Sequence, residues 1–162
     1  MYFGGQAMKQ LALIGVLALV LAGCGGGSGE RTVPEAEAAA EYSAVFGDFR
    51  VFFHAISTDE VPPEVARSVG VVRAKNRALL NISVLRLEDS AAVEAEVAVK
   101  ASNLTGQLKP ITMRKVEQGE AIYYLGELSV NNRETIIFDI SVTPAGSEDT
   151  FEVRTKRIYH TD

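Results

Sequence analysis

The sequence predicts an all-β fold, an antiparallel sandwich of about seven strands with one short helix. Three observations predict it. From Phe46 onward apolar residues recur mostly at every second position, the pattern of strands with one face buried. Turn formers punctuate these runs at Glu88-Asp89-Ser90, Asn103 to Gly106, Gln118-Gly119, Asn131-Asn132 and Pro144 to Asp149. One segment, around Pro62 to Gly70, carries helix start and stop signals instead.

Taken in order, Phe49 to Ile56 is the first strand. The helix follows: Thr58 or Asp59 can cap it, Pro62 and Pro63 suit a first turn, and Gly70 suits the position just past its end. That leaves Glu64 to Val69 as a helix of about two turns. Leu79 to Leu87 is the next strand. The clearest alternation runs from Val93 to Ala101, where the odd positions are all apolar and Glu94, Glu96 and Lys100 hold even ones. Ile111 to Val116, Ala121 to Val130, Glu134 to Val142 and Phe151 to Ile158 complete the set. Asn131-Asn132 is expected to make a two-residue hairpin, because asparagine tolerates the left-handed backbone of a primed turn. The expected core is Phe53, Ile82, Val84, Val97, Val99, Tyr124, Leu128, Phe138, Ile140 and Val153. Tyr123-Tyr124 alternates across its strand, so one ring faces in and the other out. Tryptophan and a cysteine pair are missing, so an antibody-type domain is not implied.

The start of the chain carries a different signal. Lys9 supplies a positive region, Leu11 to Ala22 an apolar stretch too short to span a bilayer, and small residues precede the single cysteine. Leu21-Ala22-Gly23-Cys24 resembles the lipobox of bacterial lipoproteins. The resemblance implies removal of residues 1–23 as a signal peptide and lipidation of Cys24, with Met1 or Met8 as the initiator. Two or more acyl chains anchor a protein stably where one does not, and lipoproteins of this kind typically carry three. Gly25 follows the cysteine where an inner-membrane retention signal would place aspartate, so the periplasmic face of the outer membrane is expected. With its one thiol consumed, the folded part is left without disulfides, thiolate metal ligands or a cysteine nucleophile.

Residues 24–41 then read as a flexible tether, with Gly25 to Gly29 followed by an alanine- and glutamate-rich stretch. Residues 42–162 form one domain. The chain carries 21 acidic against 16 basic residues, a net charge of −5, which argues against nucleic acid as a partner.

Little in the domain announces chemistry. Arg73, Lys75 and Arg77 sit two apart, so an extended segment projects all three from one face, with the amides of Asn76 and Asn81 nearby. Such a basic ladder suits a carboxylate, a phosphate or an acidic partner segment, arginine giving bidentate contacts. The plainer reading is a solvated edge paired with glutamates. His54 and His160 are the only histidines, and catalytic zinc generally uses three protein ligands. No metal site or cofactor is therefore assigned, and His54 is expected to pack or hydrogen-bond on the outer face of the first strand. There is no G-x-S-x-G, no P-loop and no G-x-G-x-x-G.

Two stretches carry a family resemblance. One is Pro63-Glu64-Val65-Ala66-Arg67, continuing to Arg73-Ala74-Lys75-Asn76-Arg77-Ala78-Leu79-Leu80-Asn81-Ile82-Ser83-Val84. The other is Asn103-Leu104-Thr105-Gly106-Gln107-Leu108, continuing to Gly119-Glu120-Ala121-Ile122-Tyr123-Tyr124. Together they resemble domain of unknown function 4426, small exported proteins of Gram-negative bacteria. The resemblance implies one compact, immunoglobulin-like exported domain and brings no activity or catalytic residues with it. The expected function is a non-enzymatic binding or accessory module, held at the membrane by its lipid and meeting an anionic ligand or an envelope protein. The alternative is an envelope hydrolase, or a metal-handling domain, with a site assembled from dispersed His, Asp and Ser residues.

Overall fold

The structure, a computed structural model, describes residues 42–162. The export segment, Cys24 and the tether lie outside the described residues. Two antiparallel sheets pack face to face. The first runs in the order β1 (Ser43–Phe46), β2 (Phe49–Ser57), β3 (Arg77–Arg86), β7 (Ala121–Ser129), β6 (Met113–Gln118). The second runs β5 (Leu108–Lys109), β4 (Ala95–Asn103), β8 (Glu134–Pro144), β9 (Phe151–Tyr159).

The period of two decides what fills the space between them. Val51, Phe53 and Ala55 of β2 and Leu80, Ile82 and Val84 of β3 face Phe138, Ile140 and Val142 of β8 in one buried cluster. All ten residues of the expected core belong to it, Val97, Val99 and Val153 at its half-buried margin. Tyr124 reaches across to the second sheet, its hydroxyl oxygen accepting the Ala95 amide at 2.7 Å. Gly126, on the same face of β7, leaves no room for a side chain: an added Cβ would lie 2.8 Å from Ile111 Cδ1 and closer still to Met113 Sδ.

The described residues form nine strands rather than about seven. The two additions, β1 and β5, span four and two residues, too short to display an alternation. The connection at Asn131-Asn132 also differs from the expected hairpin. β7 and β8 belong to different sheets, so the chain crosses the sandwich there. Arg133, not an asparagine, takes the left-handed backbone (φ 57°), and the Glu134 carboxylate accepts hydrogen bonds from the backbone and side-chain nitrogens of Asn131.

The helix forms as α1 (Pro63–Val69), with Gly70 left-handed at its C-terminus (φ 67°). Its cap is Pro62 rather than Thr58 or Asp59. Those two residues instead build a separate 3-10 turn, Thr58–Glu60, closed by a capping box between Ser57 and Glu60. Thr58 is buried because its hydroxyl both accepts from the Ala74 amide and donates to the Ala74 carbonyl, each at 2.9 Å.

α1 covers part of the outer face of the five-stranded sheet. Val61, Ala66, Val69 and Val71 pack on Leu79 and Leu125, whose side chains point away from the sandwich interior, and make a second small core. Arg114 of β6 ties the helix end down by donating to the Val69 carbonyl at 2.6 Å, and Gln118 donates to the Ser68 hydroxyl at 3.1 Å.

Candidate functional site

α1 leaves a groove along its flank, and the strands beneath decide its chemistry. Positions opposite the core-facing set place Ile56 of β2, Leu79 of β3 and Tyr123 and Leu125 of β7 on the floor. Val65 and Val69 of α1 form the wall, and the space enclosed is about 300 Å³. The polar groups that line it are those of His54, Asn81, Glu60 and Gln118 and the hydroxyl of Tyr123.

Asn81 sits in register between His54 of β2 and Leu125 of β7. Its Oδ1 is buried and has no hydrogen-bond partner. A buried carbonyl in that condition costs about 1–3 kcal/mol relative to a satisfied one. His54, exposed on the outward face of β2, meets the ring of Tyr42 edge-on at 4.8 Å between centroids. Partial desolvation of the ring, then the nearby Arg157 charge, hold its pKa below the ordinary 6.5, against an opposing pull from Glu60. Glu60 is itself occupied: both its carboxylate oxygens accept from Arg157 Nη2, at 2.9 and 3.1 Å. Arg157 also donates from Nη1 to the Ala55 carbonyl at 2.7 Å, so this side chain of β9 fastens the second sheet to β2.

A larger cleft of about 540 Å³ opens on the other side of β2, between β9 and the turn carrying Leu104. Its charged groups are Lys156 and the same Arg157, the latter already turned to Ala55 and Glu60. The groove beneath α1 is smaller, yet it holds the unpartnered acceptor, and we take it as the candidate site for that reason.

The basic ladder is not built as the spacing implied. Residues 71–76 are irregular rather than extended, and only Arg77 enters a strand. Val71 is drawn into the small core under α1, and Ala74 is held by Thr58, so the segment bends. The three cations then reach three separate acceptors. Arg73 donates to the Asp59 carbonyl at 2.6 Å, Lys75 to the Asp162 carbonyl at 2.7 Å, and Arg77 pairs with Glu127 at 3.2 Å. Asn76 accepts the Val130 amide through its backbone carbonyl. Of the five candidate residues, Asn81 alone lines the groove.

His54 lines the groove and His160 follows the end of β9. Among the described residues no group of three or more His, Cys, Asp or Glu side chains is placed to hold a metal ion. No helix among them is long and apolar enough to cross a membrane.

The groove itself was missed by sequence reasoning, although a signal existed. Ala78-Leu79-Leu80 and Tyr124-Leu125 break the alternation with apolar residues on both faces, which marks a sheet covered on its outer side.

With the geometry in place, the chain can be compared with known proteins. Residues 43–162 match the family described as "Domain of unknown function (DUF4426)". The chain belongs to this family. A solved family member from Pseudomonas aeruginosa PAO1 is 31% identical, the match covering 76% of this chain and 98% of that one, with a TM-score of 0.65. The same sandwich occurs in FetP of uropathogenic Escherichia coli strain F11. A copper-bound variant shares 12% identity over 74% of this chain and 95% of that one, TM-score 0.53. The as-isolated protein shares 10% over 73% and 92%, TM-score 0.51. At such identities the FetP likeness is one of fold. No curated protein sequence matches the chain.

Proposed function

We propose that this family member is a lipid-anchored binding module of the bacterial envelope, tethered through Cys24 on the periplasmic face of the outer membrane and acting without catalysis. The observation that carries the binding half is the groove beneath α1: an apolar floor with one buried, unpartnered acceptor, Asn81 Oδ1. The polar groups around it suit recognition rather than bond-breaking. They are two amides, a tyrosine hydroxyl, an imidazole biased toward its neutral form, and a carboxylate paired with an arginine. Leu21-Ala22-Gly23-Cys24 supports the anchoring half, and the glycine-rich residues after it supply reach for the domain.

Anchoring is tested by Cys24→Ala. Wild-type cells fed labelled palmitate should yield labelled, membrane-bound protein, and the variant should take up no label while its domain melts at the same temperature. Undiminished labelling of the variant would refute the anchor.

A further inference from the structure

We propose that residues 33–41, the stretch of chain just ahead of the domain, dock as a short amphipathic helix in the cleft between β2 and β9 of the same molecule. This surface is distinct from the groove beneath α1, and its occupation does not depend on the lipid anchor.

The cleft is an open side of the sandwich. β1 pairs with β2 only from Phe49 to Phe52, yet β2 runs on to Ser57. Among the described residues no strand covers that second half on the side away from β3. The cleft of about 540 Å³ lies there, bounded by Phe53 and Ala55 of β2, by Lys156 and Ile158 of β9, and by Leu104. Two of its apolar walls stand open: Leu104 is 70% exposed and Ile158 51%. Its charge is one-sided, because Lys156 and Arg157 line it and no acidic residue does. Arg157 is paired with Glu60, whereas Lys156 makes no ion pair among the described residues. A fitting occupant is apolar on one side and acidic on another.

The chain brings such a segment to the mouth of the cleft. Tyr42, where the described residues begin, is itself one of its walls. The Tyr42 backbone is helical rather than extended, so β1 does not run on along the free half of β2. Directly before it stand Val33-Pro34-Glu35-Ala36-Glu37-Ala38-Ala39-Ala40-Glu41. Alanine and glutamate are strong helix formers. Thr32 with Glu35 three positions on is a capping-box pair, and Pro34 lies in the first turn. Helical spacing puts Val33, Ala36 and Ala40 on one stripe and Glu37 with Glu41 on its flank. The stripe meets Leu104 and Ile158, and the flank meets Lys156. So short a segment does not hold a helix alone in water, and the cleft supplies the packing it lacks. With Cys24 anchored as proposed above, docking leaves residues 25–32 as the free link. That link reaches about 28 Å fully extended, against about 60 Å for residues 25–41, which limits how far the domain stands from its membrane.

The test uses the full-length protein in detergent micelles. Nuclear Overhauser contacts should join the Ala36 and Ala40 methyl groups to those of Leu104 and Ile158. Amide exchange from Ala38 to Glu41 should be about tenfold slower than in the variant Leu104→Glu with Ile158→Glu. Both altered positions are exposed, so that variant should keep the protection of its strands. Lys156→Glu should speed the same amides, and adding Glu37→Lys with Glu41→Lys should slow them again. Missing alanine contacts, equal exchange in the wild type and the Leu104–Ile158 variant, or no rescue by the reversed charges would overturn the proposal. Alanine contacts to Val65 and Leu125 would overturn it in favour of the groove beneath α1. In a mixture of differently labelled chains, contacts found only between chains would overturn it too and give the cleft to a second copy. Palmitate labelling of Cys24 tests the anchor separately from all of these.

Discussion

Three side chains show how single groups set the properties of this domain. Tyr159, at the end of β9, buries its hydroxyl with no hydrogen-bond partner, and burial pushes its pKa up. Tyr159→Phe should therefore stabilise the protein by about 1 kcal/mol in urea unfolding, since the ring contact with Arg157 (5.7 Å) survives and an unsatisfied group is removed. Gly126 behaves oppositely. Gly126→Ala should cost about 1–3 kcal/mol, because Ile111 and Met113 already occupy the space a methyl group needs. His54 links stability to pH. Its folded pKa lies below 6.5, lowered by partial desolvation and by Arg157 against Glu60, so the folded state binds the proton less readily than the unfolded chain. The contribution of His54 is then fully present above pH 6.5 and declines as pH falls through 6.5 toward the folded value. His54→Gln should flatten the melting-temperature profile over that window; an unchanged slope would show that other groups govern it. None of the three effects could be read from the sequence, because each depends on what a neighbouring element places against the side chain.

The elements were legible in proportion to their period. β4 announced itself through Val97, Val99 and Ala101 alternating with Glu96, Ala98 and Lys100, and its odd positions do face the core. A matched pair of substitutions tests this register. Ala101→Asp puts a charge at a position 1% exposed and should cost about 3 kcal/mol or more, whereas Ala98→Asp, on the exposed face, should stay within about 0.5 kcal/mol. Similar melting temperatures for the two variants would contradict the assignment. β1 and β5 were invisible because four and two residues cannot show an alternation. Asn131-Asn132 looked like a hairpin because turn chemistry is local. Whether the chain returns in the same sheet or crosses to the other is fixed by Glu134 gripping Asn131 and by strand partners far along the chain. The stretch from Arg73 to Arg77 failed for a related reason. Two-residue spacing puts cations on one face only in a strand, and burial of Val71 with the Thr58–Ala74 bonds keeps this segment out of one.

At the scale of the whole molecule, the two-sheet sandwich and its membership of DUF4426 followed from patterns present in the chain, whereas the groove arises where α1 meets a sheet face. Asn81 shows the difference plainly: it was picked out as a neighbour of the cations, yet its place is between His54 and Leu125 on that face. The likeness to copper-bound FetP extends to the arrangement of strands and supplies no ligand for this chain. The central claim is that the face beneath α1, not the Arg73–Arg77 stretch, is where the molecule meets its ligand. Native mass spectrometry of the protein extracted from its own envelope tests this most directly. The account predicts a small mass excess on the wild type that Val65→Trp abolishes and that Arg73→Glu with Arg77→Glu leaves in place. A mass excess that survives Val65→Trp and vanishes in the double variant, or a wild-type protein that carries none, would contradict it.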